Sequence, residues 1–397
     1  MLSLSMIVRD EAERIEACLQ SVQGFVDEMV VVDTGSTDKT VELASGLGAR
    51  VEQISWPGDF APARNQALQW VQGDWVLVLD ADERLLSEAW GPLKALMAQP
   101  DVLVINLLRH ERGAVQSPYS NVSRLFRRHP EIRWSRAYHS MIDDSVTALL
   151  AKEPQWRVAD CSVPAIDHDG YRPELLAQGN KPQRLREAME AELAERPGDP
   201  YACAKLGSLE VAEGQLERGI ALLKQGLEHC PAGAHPERYE LLLHLAMAEA
   251  QRDVAQAEQF YRQALELSLP PRLSLAAQLN LAALLLQQGR LDEAESLSAR
   301  ASKVAPEVGL GWYNLGLIRR KQGNLAGALE AYREAKRVNP SHAETHQNLA
   351  VALLLGGDIE GCRSNFREAI QLLIQQGRTQ EAQRLHKQAG ELVKLEA

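Results

Sequence analysis

Short apolar runs alternate with amphipathic stretches along the first eighty residues of the chain. Runs rich in Val, Ile and Leu predict strands, and helical spacing of apolar positions between them predicts helices. The predicted strands are residues 4–8, 28–32, 50–54 and 74–79, and the predicted helices are residues 12–23, 39–47 and 61–72. Strands separated by helices predict a mainly parallel sheet, which binds ligands beyond the carboxyl ends of its strands. We expect Ser36 or Thr37 to cap the second helix.

The pattern becomes helical throughout from about residue 200, and there it repeats. A pair of one large and one small residue recurs every 34 residues, with glycine between two helical stretches and proline after two of the copies. The aligned pairs are Leu281-Ala282, Leu315-Gly316 and Leu349-Ala350, with looser copies at Leu206-Gly207 and Leu245-Ala246. Glycine turns and terminal prolines predict two helices per repeat.

This pattern resembles the tetratricopeptide repeat over roughly residues 200–376. The resemblance implies an all-α solenoid of about five repeats, closed by a capping helix at residues 378–396. Its concave face is expected to bind peptides or partner subunits. The alternatives are that the repeats form a homodimer or only brace the first domain. The two patterns predict domains at residues 1–190 and 191–397.

The composition of the 397 residues is that of a globular protein, with 45% hydrophobic and 24% charged positions. A formal net charge of −11 argues against a nucleic-acid-binding protein. The five cysteines are scattered without a CxxC pair, which favours a reducing compartment over a disulfide framework. We find neither a signal peptide nor an apolar run of the ~18 residues that a membrane span requires, and expect a cytoplasmic protein.

The sharpest motif is GDWVLVLDADE, in which an apolar strand ends at Asp80 and Asp82. Two carboxylates separated by one small residue can both reach a hard divalent cation, which in turn binds a diphosphate. Neither GxGxxG nor GxxxxGK[ST] is present, so a dinucleotide fold or a P-loop is not supported.

Three blocks of sequence resemble the nucleotide-binding half of family 2 glycosyltransferases, which have a GT-A fold. The blocks are SMIVRDEAERIEACLQSV, EMVVVDTGSTDKTVELA and FAPARNQALQWVQGDWVLVLDADE, and they cover residues 3–83 almost continuously. The later pieces SRLFRRHPEIRWS and AIDHDGY resemble the acceptor half of a subgroup fused to tetratricopeptide repeats. The predicted fold is therefore a GT-A-type α/β nucleotide-sugar-binding domain followed by an all-α repeat solenoid.

The resemblance implies a binding site for a nucleotide sugar. Asp33 is expected to accept a hydrogen bond from the base, beside the backbone at Val8 and Arg9, which favours a uridine diphosphate sugar. Arg64 is expected near the base and phosphates, and Arg124 could clamp the diphosphate. The remaining members of the predicted set are Asp80 and Ala81.

The metal is expected to be Mn²⁺ or Mg²⁺, held by Asp82, Asp80 and His168, where it neutralises charge on the leaving diphosphate. An inverting enzyme also needs a general base for the acceptor. Related proteins show a His-Glu pair after the RLFRxHP segment, whereas this chain reads Tyr138-His139-Ser140. The candidate bases are therefore Asp143, Asp144 and His139.

The favoured function is a metal-dependent inverting glycosyltransferase that acts on a peptide, protein or carbohydrate acceptor. The alternative is a non-catalytic scaffold with a degenerate transferase domain, and the absent His-Glu pair is the observation that favours it.

Overall fold

The computed structural model describes residues 1–114, 117–136, 140–169 and 181–394, and the chain divides into two compact units, Met1–Pro231 and Ala232–Ala397. No helix in the described ranges is long and apolar enough to cross a membrane.

The first unit is built on an eight-stranded mixed sheet with the strand order β3-β2-β1-β4-β7-β6-β8-β5. Strands β1 to β4 are mutually parallel, and β7 joins them in the antiparallel direction through β4. The strands are β1 (Leu2–Val8), β2 (Glu28–Asp33), β3 (Arg50–Gln53), β4 (Trp75–Val78), β5 (Glu83–Leu85), β6 (Val102–Glu111), β7 (Tyr119–Arg127) and β8 (Arg157–His168).

Helices cover both faces of this sheet, which is why every residue of β4 is apolar and buried. Leu4 and Leu77 face one core, together with helices α1, α2 and α4, whereas Val76 and Phe126 face the other, together with α3 and α5. The helices are α1 (Ile15–Val22), α2 (Thr40–Gly46), α3 (Phe60–Ala67), α4 (Trp90–Met97) and α5 (Asp143–Lys152).

Helix α2 shows one difference from the sequence prediction. Its first amide, Thr40 N, donates to Asp38 Oδ1 at 3.0 Å. Ser36 Oγ accepts from Asp10 N at 2.9 Å, and Thr37 Oγ1 lies 3.2 Å from Asp10 Oδ1. The predicted cap by Ser36 or Thr37 is therefore wrong, because both hydroxyls bind the loop after β1 instead.

After β8, the described residues from 181 onward are helical hairpins. The helices are Lys181–Glu195, Pro200–Ala212, Leu216–His229, His235–Glu249, Val254–Glu266, Leu275–Gln287, Leu291–Val304, Gly309–Lys321, Leu325–Val338, Ala343–Leu355, Ile359–Gln375 and Thr379–Leu392. In the best-matching repeat, a Cβ added at Gly316 would lie 2.5 Å from the ring of the fully buried Tyr332. A glycine at that position lets the two helices of the hairpin approach closely.

Candidate active site

The loops that follow β1 and β2 interlock at the carboxyl edge of the sheet. Thr37 N donates to Asp10 Oδ1 at 2.7 Å, and Thr34 N donates to the carbonyl of Val8 at 2.9 Å. Asp10 has a φ of 53°, so the chain turns sharply there. The Arg9 side chain is mostly exposed beside it. The structure thus brings Val8 and Arg9 next to the loop that begins at Asp33.

Asp33 is only 2% exposed and folds its own loop. Its carboxylate accepts hydrogen bonds from Gly35 N and Ser36 N, each at 3.1 Å. Gly35 has a φ of 106°, a conformation that favours glycine. These bonds hold the carboxylate at the end of β2, and a carboxylate has further acceptor capacity for a ligand N–H.

Asp80, the first carboxylate of the Asp-Ala-Asp turn, is held between two arginines. Arg64 Nη2 lies 2.7 Å from Asp80 Oδ1, and Arg124 Nη2 lies 3.0 Å from Asp80 Oδ2. Burial raises the pKa of Asp80, but Arg124 and Arg64 outweigh burial and hold that pKa well below its usual range. Asp80 is thus an ionised counter-charge for two guanidinium groups, and the next residue, Ala81, is buried.

Both guanidinium groups also lie over the ring of Trp134, with the Arg64 and Arg124 central carbons 4.6 and 5.8 Å from the ring centroid. The Arg64 atoms Nε and Nη1 are buried and have no hydrogen-bond partner among the described residues. Burial, followed by the nearby Arg124, lowers the pKa of Arg64 to about 10. Buried donors without an acceptor favour binding of an anion.

Asp82, the second carboxylate of the turn, faces a histidine instead. His168 Nε2 lies 3.4 Å from Asp82 Oδ2, and His168 Nδ1 lies 2.5 Å from Glu111 Oε2. Two ligands at about 2.1 Å from one cation lie about 3 Å apart, so Asp82 and His168 fit a divalent cation between them. The described residues contain no group of three or more His, Cys, Asp or Glu arranged around a metal. A diphosphate and water would complete the shell, as is usual for Mg²⁺.

The histidine is cationic when no metal is bound. Burial lowers the pKa of His168, but hydrogen bonds to Asp82 and Glu111 outweigh burial and raise that pKa to about 9. Its two N–H groups therefore each face a carboxylate in the metal-free protein, and a metal bound at Nε2 would displace the proton from that nitrogen.

The candidate bases lie near the start of α5. Asp143 is exposed and accepts a hydrogen bond from Ser123 Oγ at 2.9 Å. Asp144 accepts from Ser135 Oγ at 2.9 Å and pairs with Arg136 at 3.2 Å, so its carboxylate is already bound. His139 lies outside the described residues.

Three residues around this site were not identified in the sequence, namely Trp134, Arg109 and Glu111. The latter two alternate along β6 as Arg-x-Glu and so face the same side of the sheet. This alternation was the pattern in the sequence from which Arg109 and Glu111 could have been identified. The partner strand of β6 was not predicted from the local pattern.

The comparisons with known proteins match both halves of the chain. The model of glycosyl transferase family 2 matches residues 3–156, and the tetratricopeptide repeat model matches residues 248–306, 279–343 and 313–370. The solved structure of YrrB, described as a TPR protein with an unusual peptide-binding site, is 17% identical and covers 50% of this chain and 99% of that chain, with a TM-score of 0.39.

Two relatives are similar to this chain over most of their own length. A glycosyltransferase of Rickettsia bellii is 28% identical over 214 residues, which are 48% of this chain and 72% of that protein. A TPR repeat-containing protein of Synechococcus elongatus is 43% identical over 388 residues, which are 97% of this chain and 95% of that protein. The predicted fold class is confirmed, and the chain belongs to a family in which a family 2 glycosyltransferase domain is followed by tetratricopeptide repeats.

Proposed function

We propose that this protein is a metal-dependent inverting glycosyltransferase that moves a sugar from a uridine diphosphate sugar to a peptide, protein or carbohydrate acceptor. The observation that carries the proposal is that the two aspartates of one turn have different partners. Asp80 is bound by two arginines, while Asp82 lies 3.4 Å from the imidazole of His168. An anion-binding cluster and a cation-binding pair thus adjoin, as a metal-bound diphosphate requires.

The donor would be held by side chains from β2, α3, the Asp-Ala-Asp turn and β8. Asp33 accepts an N–H of the base, and the unpartnered nitrogens of Arg64 donate to the diphosphate. Asp82 and His168 would hold Mn²⁺ or Mg²⁺, and the ion would stabilise charge on the leaving diphosphate. Arg124 pairs with Asp80 and would add positive charge beside the diphosphate.

The acceptor hydroxyl must lose its proton as its oxygen attacks the anomeric carbon and the bond to the diphosphate breaks. We assign this general-base role to Asp143, because Asp144 is already bound by Arg136 and Ser135. A carboxylate that is exposed at the start of a helix can accept that proton and release it to water. The repeats would hold a peptide or protein acceptor or pair two copies of the chain.

The test uses Asp82→Asn, which removes the carboxylate charge and leaves the size of the side chain almost unchanged. Thermal unfolding is measured with a panel of uridine diphosphate sugars, with and without Mn²⁺. One sugar nucleotide at a hundred times its dissociation constant should stabilise the wild type by ~2.7 kcal/mol, and only with Mn²⁺. The variant should lose this metal-dependent part.

Asp74→Asn is the matched control, because the Asp74 side chain is 74% exposed, and this variant should behave like the wild type. Equal donor binding by Asp82→Asn with Mn²⁺ would refute the assigned metal site. Tight binding of metal and donor without hydrolysis or transfer to any acceptor pool would instead establish the scaffold function.

A further inference from the structure

A closed ring of contacts links the two ends of the Asp-Ala-Asp turn through the neighbouring strands. Asp80 N donates to Glu83 Oε2 at 2.9 Å, and Glu83 Oε1 lies 2.8 Å from Arg109 Nη1. Arg109 Nε donates to Glu111 Oε1 at 2.8 Å. Glu111 Oε2 then contacts His168 Nδ1, and His168 Nε2 returns the ring to Asp82.

The two glutamates of the ring are buried, and strand register places them. Glu83 is 0% exposed and Glu111 is 4% exposed. Glu83 on β5 and Glu111 on β6 both stand opposite His168 on β8, so three adjacent strands place these side chains side by side. Buried carboxylates are costly unless they are paired, and Arg109 pairs with both.

Glu111 is held from two directions. Its Oε1 atom accepts from Arg109 Nε and from Ser120 Oγ, which leaves Oε2 for the imidazole. A carboxylate fixed in this way accepts a hydrogen bond from Nδ1–H and so directs Nε2 toward Asp82. Histidines that bind metals commonly donate their other nitrogen to a carboxylate, which sets the tautomer and the ring orientation.

We infer that Glu111 is a positioning residue, which orients His168 toward a divalent cation bound by Asp82 and His168. Arg109 and Glu83 tie Glu111 to the backbone of Asp80. The inference rests on the proposed metal-dependent function. It assigns to β6 a part in cation binding although none of its side chains contacts the cation.

The neighbouring register position supplies a matched control. His110 Nδ1 lies 2.8 Å from Asp167 Oδ1, a second carboxylate–histidine pair across β6 and β8, in which the carboxylate is buried and the histidine is partly exposed. Because side chains alternate along a strand, this pair faces the opposite side of the sheet from Glu111 and His168. Asp167→Asn thus makes the same chemical change in the same two strands, away from the ring.

The experiment titrates Mn²⁺ alone into the full-length variants and follows binding by electron paramagnetic resonance and calorimetry. Glu111→Gln should weaken Mn²⁺ binding by about 10- to 100-fold. Asp167→Asn should leave the affinity at the wild-type value. If Glu111→Gln does not fold, Ser120→Ala removes one bond to the same carboxylate and should weaken binding by about fivefold.

Each outcome decides between the two proposals. Loss of Mn²⁺ affinity in His168→Ala with wild-type affinity in Glu111→Gln and Ser120→Ala overturns the role of Glu111 and leaves the proposed function standing. Wild-type affinity in both His168→Ala and Asp82→Asn refutes the metal site itself. An equal loss in Asp167→Asn and Glu111→Gln shows a general effect on the strands and also overturns the inference.

Discussion

Two aspartates separated by one alanine experience opposite surroundings. Asp80 neutralises Arg64 and Arg124, whereas Asp82 faces His168, whose Nε2 lies 3.4 Å from Asp82 Oδ2. The resemblance assigns both carboxylates to the metal, with Asp82 ahead of Asp80. Their contacts separate the two, because the Asp80 carboxylate already pairs with two arginines, and our proposed cation site therefore keeps Asp82.

This difference predicts distinct effects on stability. Asp80→Asn removes the counter-charge of two largely buried guanidinium groups and should lower the free energy of unfolding by about 1–3 kcal/mol. The cost is below that of a fully buried pair because the Asp80 side chain is 35% exposed and its ion pairs are partly screened. Urea unfolding of the metal-free protein measures this change.

Asp74→Asn at the surface is the control and should change stability by less than about 0.5 kcal/mol. An unaltered midpoint for Asp80→Asn would mean that the two arginines do not depend on this carboxylate.

Much of the candidate site at the ends of the first strands was predictable at this scale. Loops after parallel strands meet at one edge, so the convergence of Val8, Asp33 and Asp80 follows from the alternation of strands and helices. The contacts of Glu111 were not predictable, because its partner His168 lies 57 residues away along the chain. They depend on a register with three irregularities between β6 and β8.

At the scale of the element, the repeat hairpins depend on a small residue opposite a large one. Gly316 and Tyr332 meet so closely that an added Cβ would lie 2.5 Å from two ring carbons. The 34-residue period predicted two helices in this hairpin and a small residue at position 316, because spacing and residue size recur together. The first four strands were likewise predicted to within a few residues from apolar runs.

Gly316→Ala should therefore lower the free energy of unfolding by about 1–3 kcal/mol, as expected for overpacking of a filled interior. Gly390→Ala is a matched control in the helix Thr379–Leu392, where an added Cβ would meet nothing within 4 Å. There the higher helix propensity of alanine should stabilise the chain by about 0.5–1 kcal/mol. Thermal unfolding followed by circular dichroism measures both, and two shifts of the same sign would contradict the packing argument.

At the scale of the molecule, one arginine gathers segments that the sequence divides between two domains. Arg136, with a φ of 69°, pairs with Asp144, Glu192 and Asp199 and lies over the ring of Tyr201. The first compact unit accordingly extends to Pro231 and includes two helices of repeat type. The sequence hypothesis ended the first domain at residue 190, because the helical repeat pattern begins close to that position and long-range ion pairs leave no local pattern.

The extent of the first unit can be tested by truncation. A chain that ends at Pro231 retains every partner of Arg136, whereas one that ends at Glu190 loses Glu192 and Asp199. The shorter chain should be less stable by about 3 kcal/mol, which lowers Tm by roughly 6–12 °C. Differential scanning calorimetry of both fragments measures this, and equal Tm values would support the boundary at residue 190.

The last strand of the sheet has a consequence for biosynthesis. Strand β5 joins the sheet through β8, and Glu83 leaves the ribosome 85 residues before its partner His168. At a translation rate of about 5–20 residues per second, about 4–17 s pass between synthesis of the acidic turn and synthesis of the histidine that faces it. A nascent chain that has not reached residue 168 carries the carboxylates without their imidazole, so the cation site that we propose would be completed only when β8 is synthesised.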